Sequence, residues 1–142
     1  MEPLNIILGS SGTLDKMPHL QIETNVSADK IQKGAVTELI TAVSATVGKP
    51  SKFVAVSIKP DVMMGFGWAG RFLEAEKPCA QVTLTCIGKL GEQENVAHAA
   101  NLTPVISKVL GIPEDRFYIT FIDKPRHEVA WKGTTFAEMF KK

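Results

Sequence analysis

The sequence has few cysteines and no excess of charge of either sign. Its two cysteines, Cys79 and Cys86, are seven positions apart on one predicted strand and so point to opposite faces of it, which argues against a disulfide. Sixteen Lys and Arg residues balance fifteen Asp and Glu residues, and no dense basic stripe with interleaved aromatic residues occurs. We therefore predict reduced thiols and no nucleic-acid partner.

Long apolar segments are also missing. The longest fall far short of the ~20 residues that a membrane-spanning helix needs. The stretch MEPLNIILG has no basic start and only a short apolar patch, so it is a poor secretory signal. These absences predict a protein without a membrane span that is cytoplasmic, or that is secreted without a signal peptide.

The motifs of metal and nucleotide binding are absent or misplaced. His19, His98 and His127 share no metal-ligand spacing with one another or with the cysteines, so no metal site is predicted. GFGWAG at 65–70 matches the Gly-x-Gly-x-x-Gly pattern, but it does not link a strand directly to a helix as a dinucleotide-binding loop does. We predict no cofactor, and we expect His98 to be structural or solvated.

An internal repeat of strand, helix and strand is present. The four strands are predicted at 19–26, 52–58, 79–87 and 116–122. The first helix is predicted to start after Ser27 and to end at Gly48, and the second to cover 92–110 and to end at Gly111. The two glycines are 63 positions apart, as are the prolines two residues after each of them, which indicates a duplication.

The duplication predicts an α+β fold of two β-α-β units related by a pseudo-twofold axis. Right-handed crossovers place both helices on one face of a four-stranded sheet. The second face is also expected to be apolar, because the strand at 52–58 has Val56 on one side and Ala55 on the other. Another copy of the chain would cover it, so we expect a homo-oligomer in which the segment EVAW reaches a neighbour's sheet edge.

Short segments between 17 and 136 give a more specific signal. They are Met-Pro at 17–18, Thr-Asn at 24–25, Gly-Lys-Pro at 48–50, Pro-Cys-Ala at 78–80, CIGKLG at 86–91, DRFYI at 115–119 and WKGTTF at 131–136. In this order and spacing they resemble the tautomerase superfamily, specifically the family of macrophage migration inhibitory factor and D-dopachrome tautomerase. The resemblance covers nearly all of 17–136.

The resemblance implies a fold and a reaction. The fold is a four-stranded mixed sheet under two antiparallel helices, in a homotrimer whose sheets surround a central channel. The reaction is cofactor-free keto–enol tautomerisation of aromatic α-keto acids such as phenylpyruvate, or of dopachrome-like quinones. The matching domain is 17–142, and residues 1–16 form an N-terminal extension.

The same resemblance implies the site residues. Pro18 matches the catalytic proline, which the family exposes by removing the initiator methionine. Lys49 matches the cation that binds substrate, and Ile87 matches a position whose backbone amide contacts it. Tyr118 and Thr120 match positions contributed by the adjacent subunit, although the cytokine has asparagine at the second of these. The apolar pocket wall is expected to consist of Phe53, Val129, Trp131 and Phe136.

An N-terminal proline is a suitable base. A free α-amino group has a pKa near ~7.7–8.0, and an apolar pocket lowers it further because burial penalises the charged form. A base with such a pKa accepts a proton efficiently near physiological pH. Lys49 would neutralise the substrate carboxylate, while Tyr118 or a backbone amide would stabilise the enolate oxygen.

Seventeen residues precede Pro18, sixteen of them before Met17, and while they are attached the Pro18 nitrogen is an amide that accepts no proton. Three explanations stay open: translation starts at Met17, the leader derives from a vector, as the linker-like GSSG at 9–12 indicates, or the extension is genuine and the protein inactive. The alternative function is that of a secreted, cytokine-like protein that binds a cell-surface receptor. Non-catalytic alternatives also exist for Lys49, as a solvated lysine at a helix end, and for Tyr118 and Trp131, as packing residues.

Two features depart from the family pattern. Cys79 matches the first cysteine of a Cys-x-x-Cys motif found in some members, but the second position is Val82, so no dithiol redox activity is expected. The segment 67–77 is longer than the corresponding loop of the family. We expect this insertion to affect partner contacts more than catalysis.

Overall fold

In the computed structural model, which describes residues 17–67 and 75–141, one four-stranded sheet lies against two long helices. The strands are β1 (His19–Thr24), β2 (Ala55–Lys59), β3 (Ala80–Cys86) and β4 (Phe117–Asp123), and the helices are α1 (Ala35–Val47) and α2 (Glu92–Leu110). The predicted extension at 1–16 and most of the inserted loop, at 68–74, lie outside the described residues.

The sheet has the order β2-β1-β3-β4. The outer strands run parallel to their inner neighbours, and the inner strands β1 and β3 run antiparallel to each other. Each half is therefore one β-α-β unit, and the antiparallel centre relates the halves by a pseudo-twofold axis. The predicted α+β fold with a mixed sheet is confirmed.

The predicted helix ends are confirmed in detail. Gly48 and Gly111 both cap their helices in the left-handed conformation, with φ of +70° and +69°, which glycine adopts without steric cost. The amide of Gly48 donates to the Ser44 carbonyl, and that of Gly111 donates to the Ser107 carbonyl. These serines are also 63 positions apart, so the repeat extends to the hydrogen bonds that end the helices.

The start of the first helix differs from the prediction. Ser27 precedes a short 3-10 turn, Ala28–Lys30, and its hydroxyl donates to the Asp29 carboxylate instead of capping an α-helix. The helix α1 starts at Ala35 because Gly34, with a φ of +80°, turns the chain just before it. The spacing of apolar residues gives no sign of the turn at Gly34. The predicted helix is therefore about two turns longer at its start than the observed one.

The core lies between the helices and one face of the sheet. Its fully buried members include Leu20, Ile22, Val82 and Leu84 from the strands, and Leu39, Val43, Leu102 and Ile106 from the helices. Each such side chain stabilises the fold by ~1.5–3 kcal/mol through the removal of apolar surface from water. Within the described ranges, no helix is long and apolar enough to cross a membrane.

The prediction of an apolar second face is wrong. The open face carries His19, Gln21, Glu23, Ala55, Ser57, Lys59, Gln81, Thr83, Thr85, Tyr118, Thr120 and Ile122. The error arose at Phe53, which belongs to the 3-10 turn Ser51–Phe53 and not to a strand. Because most side chains of the open face are polar, the exposure of apolar surface does not by itself require another subunit on this face.

His98 is buried and joins three elements. Its Nε2–H donates to the Lys89 carbonyl at 2.8 Å, and its Nδ1 lies 2.9 Å from the Thr46 hydroxyl, which itself accepts from Asn101. The ring thus links α1, α2 and the loop after β3. The structural alternative for His98 is confirmed.

Replacing His98 with alanine is expected to destabilise the fold by ~1–3 kcal/mol, because the Lys89 carbonyl loses its donor in a place that water reaches poorly. The measurement is urea unfolding at a fixed protein concentration. His127→Ala is the matched control, since the His127 side chain is 71% exposed. Equal unfolding midpoints for the two variants would contradict the structural role of His98.

Candidate functional site

One end of the sheet gathers four of the predicted site residues. Pro18 immediately precedes β1, and its carbonyl accepts a hydrogen bond from the Ala55 amide of β2 at 3.0 Å. His19 lies opposite Thr85, so continuing this register places Ile87, just beyond β3, near Pro18. The chain returns from α1 to β2 at the same end through Lys49 and Phe53. We call this the Pro18 end of the sheet.

A cavity of about 290 Å³ opens at the Pro18 end. It is lined by Met17, Lys52, Phe53, Val54, Ala55, Val129, Ala130, Trp131 and Phe136. All four residues predicted to form the pocket wall are among them. The Phe53 and Trp131 rings meet edge to face at 5.9 Å between centroids, and Trp131 stacks on Phe136 at 6.5 Å, so the wall is a connected aromatic surface.

The C-terminal segment supplies most of this wall. A short hairpin of β5 (Ala130–Trp131) and β6 (Thr134–Thr135) leads into the final helix α3 (Phe136–Met139). The Thr135 hydroxyl caps α3 by accepting from the Glu138 amide. Within the chain, Ala130 and Trp131 of the segment EVAW pair with Thr135 and Thr134. The contact of this segment with a neighbour's sheet edge stays a prediction.

Lys49 is buried, with 3% of its surface exposed, although it follows a helix end. Its amide donates to the Ser44 carbonyl at 3.2 Å, and its carbonyl accepts from the Ser44 hydroxyl, so the backbone of Lys49 is held on both sides. The alternative of a solvated lysine is therefore wrong. Burial of an ammonium group is costly and is usually associated with a functional or paired charge.

The segment after β3 holds Ile87 in a fixed conformation. Gly88 and Lys89 both have positive φ, +74° and +65°, which turns the chain sharply after Ile87. The Gly88 amide donates to the Asp123 carboxylate at 3.0 Å, and the Lys89 carbonyl accepts from His98. Sequence reasoning did not identify Asp123 and His98 as supports of this segment, since neither belongs to a recognisable motif.

Tyr118 and Thr120 do not lie near Pro18 in the same chain. Both are on β4 and point to the open face, where the Tyr118 side chain is 66% exposed. Tyr118 is level with Glu23 across two strand pairings, and Glu23 is five residues from Pro18. At ~3.3 Å per residue and ~4.8 Å per strand, the separation between Tyr118 and Pro18 is roughly 19 Å.

Arg116 is a buried residue of the DRFYI segment to which the sequence analysis assigned no role. Its guanidinium donates to the carbonyls of Phe66, Ala75 and Lys77 and its Nε to that of Pro78, so it ties the two ends of the inserted loop together. Arg116 also lies 5.4 Å from the Phe66 ring, which in turn packs against Tyr118. Arg116 thereby supports the surface on which Tyr118 lies.

The two thiols are buried, and the described residues contain no group of potential metal ligands. Burial raises the pKa of the Cys79 thiol, and the nearby Arg116 charge offsets this only in part, so the reactive thiolate is disfavoured. Both cysteines are buried thiols that form no disulfide. Among the described residues, no three His, Cys, Asp or Glu side chains are grouped closely enough to hold a metal ion.

Comparisons with known proteins match most of the chain to one family. The family model for macrophage migration inhibitory factor (MIF) matches residues 17–137. The macrophage migration inhibitory factor of Xenopus laevis is 35% identical over 121 residues, which are 85% of this chain and 100% of that protein. The macrophage migration inhibitory factor homolog of Trichinella spiralis is 34% identical over 120 residues, 84% of this chain and 100% of its own length.

Solved structures give the same result for the fold. The macrophage migration inhibitory factor of Trichinella spiralis superposes with a TM-score of 0.74 at 31% identity, covering 83% of this chain and 99% of that chain. The homologue from Prochlorococcus marinus superposes with a TM-score of 0.70 at 30% identity, covering 83% and 98%. The fold is therefore shared over nearly the whole length of these relatives.

Proposed function

The chain belongs to the macrophage migration inhibitory factor family, and we propose that it is a cofactor-free keto–enol tautomerase whose base is the nitrogen of Pro18. The observation that supports this most is the aromatic cavity, which opens where β1 begins and is lined by Met17, the residue bonded to Pro18. An apolar cavity beside an amine keeps the amine neutral and able to accept a proton.

The proposed substrate is an aromatic α-keto acid. Its ring packs against Phe53 and Trp131, and its carboxylate is neutralised by Lys49. The Pro18 nitrogen removes a proton from the carbon next to the ketone, so the C–H bond breaks and its electrons form the enolate. The Ile87 amide or Tyr118 stabilises the enolate oxygen, which then takes the proton from the Pro18 nitrogen, so that the enol forms and the neutral amine is restored. The reverse steps give the ketone.

Catalysis requires a free Pro18 nitrogen. In the chain described here Met17 is bonded to that nitrogen, and the Met17 residue also lines the cavity. Removal of everything before Pro18 would therefore create the amine and enlarge the space beside it. We propose that the working form lacks residues 1–17. The catalytic domain predicted at 17–142 then begins at Pro18.

We further propose that the working form is a homotrimer. Tyr118 and Thr120 are too far from Pro18 to serve it within one chain, and both are exposed on the open face. The polar side chains of that face suit a solvated channel between sheets, in which Gln21, Ser57 and Gln81 keep water partners. Each cavity would then receive Tyr118 from its neighbour.

Subunit mixing tests both the base and the sharing of the site. Pro18→Gly and Tyr118→Ala are each expected to lower phenylpyruvate tautomerisation strongly. When the two variants are unfolded together and refolded at equal amounts, about a quarter of the sites should combine an intact Pro18 with an intact neighbouring Tyr118, if trimers assemble at random. The measurement is specific activity after mixing, with each variant refolded alone as the control. Activity no higher than the mean of the two controls would contradict a shared site.

A chain in which Pro18 remains in a peptide bond has no such base. For that form we propose a binding function, in which the folded surface engages a receptor at the cell surface. The observation that favours it is the amide bond between Met17 and Pro18 in the chain described here. Binding that persists in an inactive, unprocessed chain would support this second function.

A further inference from the structure

Two lysines lie against the aromatic wall of the cavity. Lys52 lines the cavity, and its Nζ lies 5.2 Å from the centroid of the Phe53 ring. Lys132 follows the lining residue Trp131 in the sequence, and its Nζ lies 5.0 Å from the centroid of the Trp131 ring. The edge-to-face pair of Phe53 and Trp131 thus has an ammonium group over each ring.

Neither ammonium group is neutralised by a carboxylate within the described part of the chain. The acid nearest in sequence to the cavity wall is Glu128, next to Val129, and its carboxylate already pairs with Lys124 at 3.4 Å and lies 3.8 Å from His127. The aromatic wall of the cavity therefore carries two positive charges that no carboxylate of the described residues pairs with.

The backbone holds Lys132 in an unusual conformation. It is the first residue of the two-residue turn between β5 and β6, with a φ of +54°, and Gly133 follows with a φ of +84°. Such a turn favours Asn, Asp or Gly at its first position, because the Cβ of other residues clashes with the backbone at positive φ, which glycine avoids and Asn and Asp offset by local hydrogen bonds. Strain of this kind is concentrated at functional sites.

We propose that Lys52 and Lys132 form a second anion subsite, which makes the preferred substrate an aromatic α-keto acid with a second anionic group on its ring. This inference rests on the proposed tautomerase function. With the keto-acid carboxylate at Lys49 and the ring against Phe53 and Trp131, a ring substituent faces the mouth. A carboxylate, sulfonate or phosphate there meets both ammonium groups.

The test compares phenylpyruvate with 4-carboxyphenylpyruvate, using protein that begins at Pro18. The measured quantity is the ratio of kcat/KM for the carboxylated substrate to kcat/KM for the plain one. The double variant Lys52→Gln, Lys132→Gln is expected to lower this ratio by about 4- to 25-fold, since each exposed ion pair contributes about twofold to fivefold. High salt should lower the ratio of the unmodified protein in the same direction.

Two further variants separate charge from packing. Lys52→Arg, Lys132→Arg keeps both charges and should retain the ratio, while Lys30→Gln removes an exposed lysine of the 3-10 turn Ala28–Lys30 and should leave it unchanged. An unchanged ratio in the double glutamine variant overturns the subsite while the tautomerase function stands. If neither substrate is turned over, the tautomerase function fails. Calorimetry then tests the subsite through the ratio of the binding affinities of the two keto acids, which the double glutamine variant should lower.

Discussion

Retaining Met17 in front of Pro18 is expected to lower kcat/KM for phenylpyruvate by about 10²- to 10⁴-fold relative to protein that begins at Pro18, which is the usual contribution of a general base. The lone pair of an amide nitrogen is delocalised into the carbonyl, so the proposed base is removed without any change of side chain. The comparison needs proteins whose N-termini have been verified by intact mass.

Pro18→Gly in the protein that begins at residue 18 is the matched variant. It keeps an α-amine, but it loses the ring that fixes the direction of the nitrogen lone pair. We expect its activity to lie between those of the free and the blocked proline. Undiminished turnover in either the blocked protein or the glycine variant would refute a proline base.

Lys49→Met is expected to lower kcat/KM for phenylpyruvate by about 10- to 100-fold, mostly through KM, because a hydrogen bond to a charged group contributes ~1.5–3 kcal/mol. Methionine has a similar length and suits a buried position, since only 3% of the Lys49 surface is exposed. The fold should therefore persist, and thermal unfolding checks this.

A substrate without a carboxylate identifies what Lys49 does. The methyl ester of phenylpyruvate has no charge for the ammonium group to neutralise, so Lys49→Met should affect its turnover far less than that of the acid. The two substitutions, one in the protein and one in the substrate, form a double-mutant cycle. Equal losses for the acid and the ester would show that Lys49 acts through the structure and not on the carboxylate.

The fold could be predicted from the sequence because its signals are local. Alternating and helical apolar spacing identified the strands and helices, and Gly48 and Gly111 gave the helix ends. The errors occurred where backbone conformation overrides spacing. Gly34 delays α1, and the turn that contains Phe53 shortens β2, which reversed the expected character of the open face.

The candidate site was predictable only in part. The wall residues around Trp131 were found through short motifs, and the structure brings them together in one cavity. The roles of His98, Asp123 and Arg116 could not be predicted, although Arg116 lies in the DRFYI segment, because these residues contact distant backbone that only the tertiary fold brings near. The burial of Lys49 could not be predicted either, because the sequence shows only that this lysine follows a helix end.

The paired helix ends also explain why the two halves of the molecule are not equivalent. Lys49 and Ile112 occupy corresponding positions, each 3% exposed, and the Ser107 hydroxyl donates to the Ile112 carbonyl as Ser44 does to that of Lys49. The backbone is the same in both copies, but one side chain is a cation and the other a hydrocarbon. The end of α1 therefore carries a buried cation, Lys49. The corresponding end of α2 carries Ile112, an apolar side chain of the core.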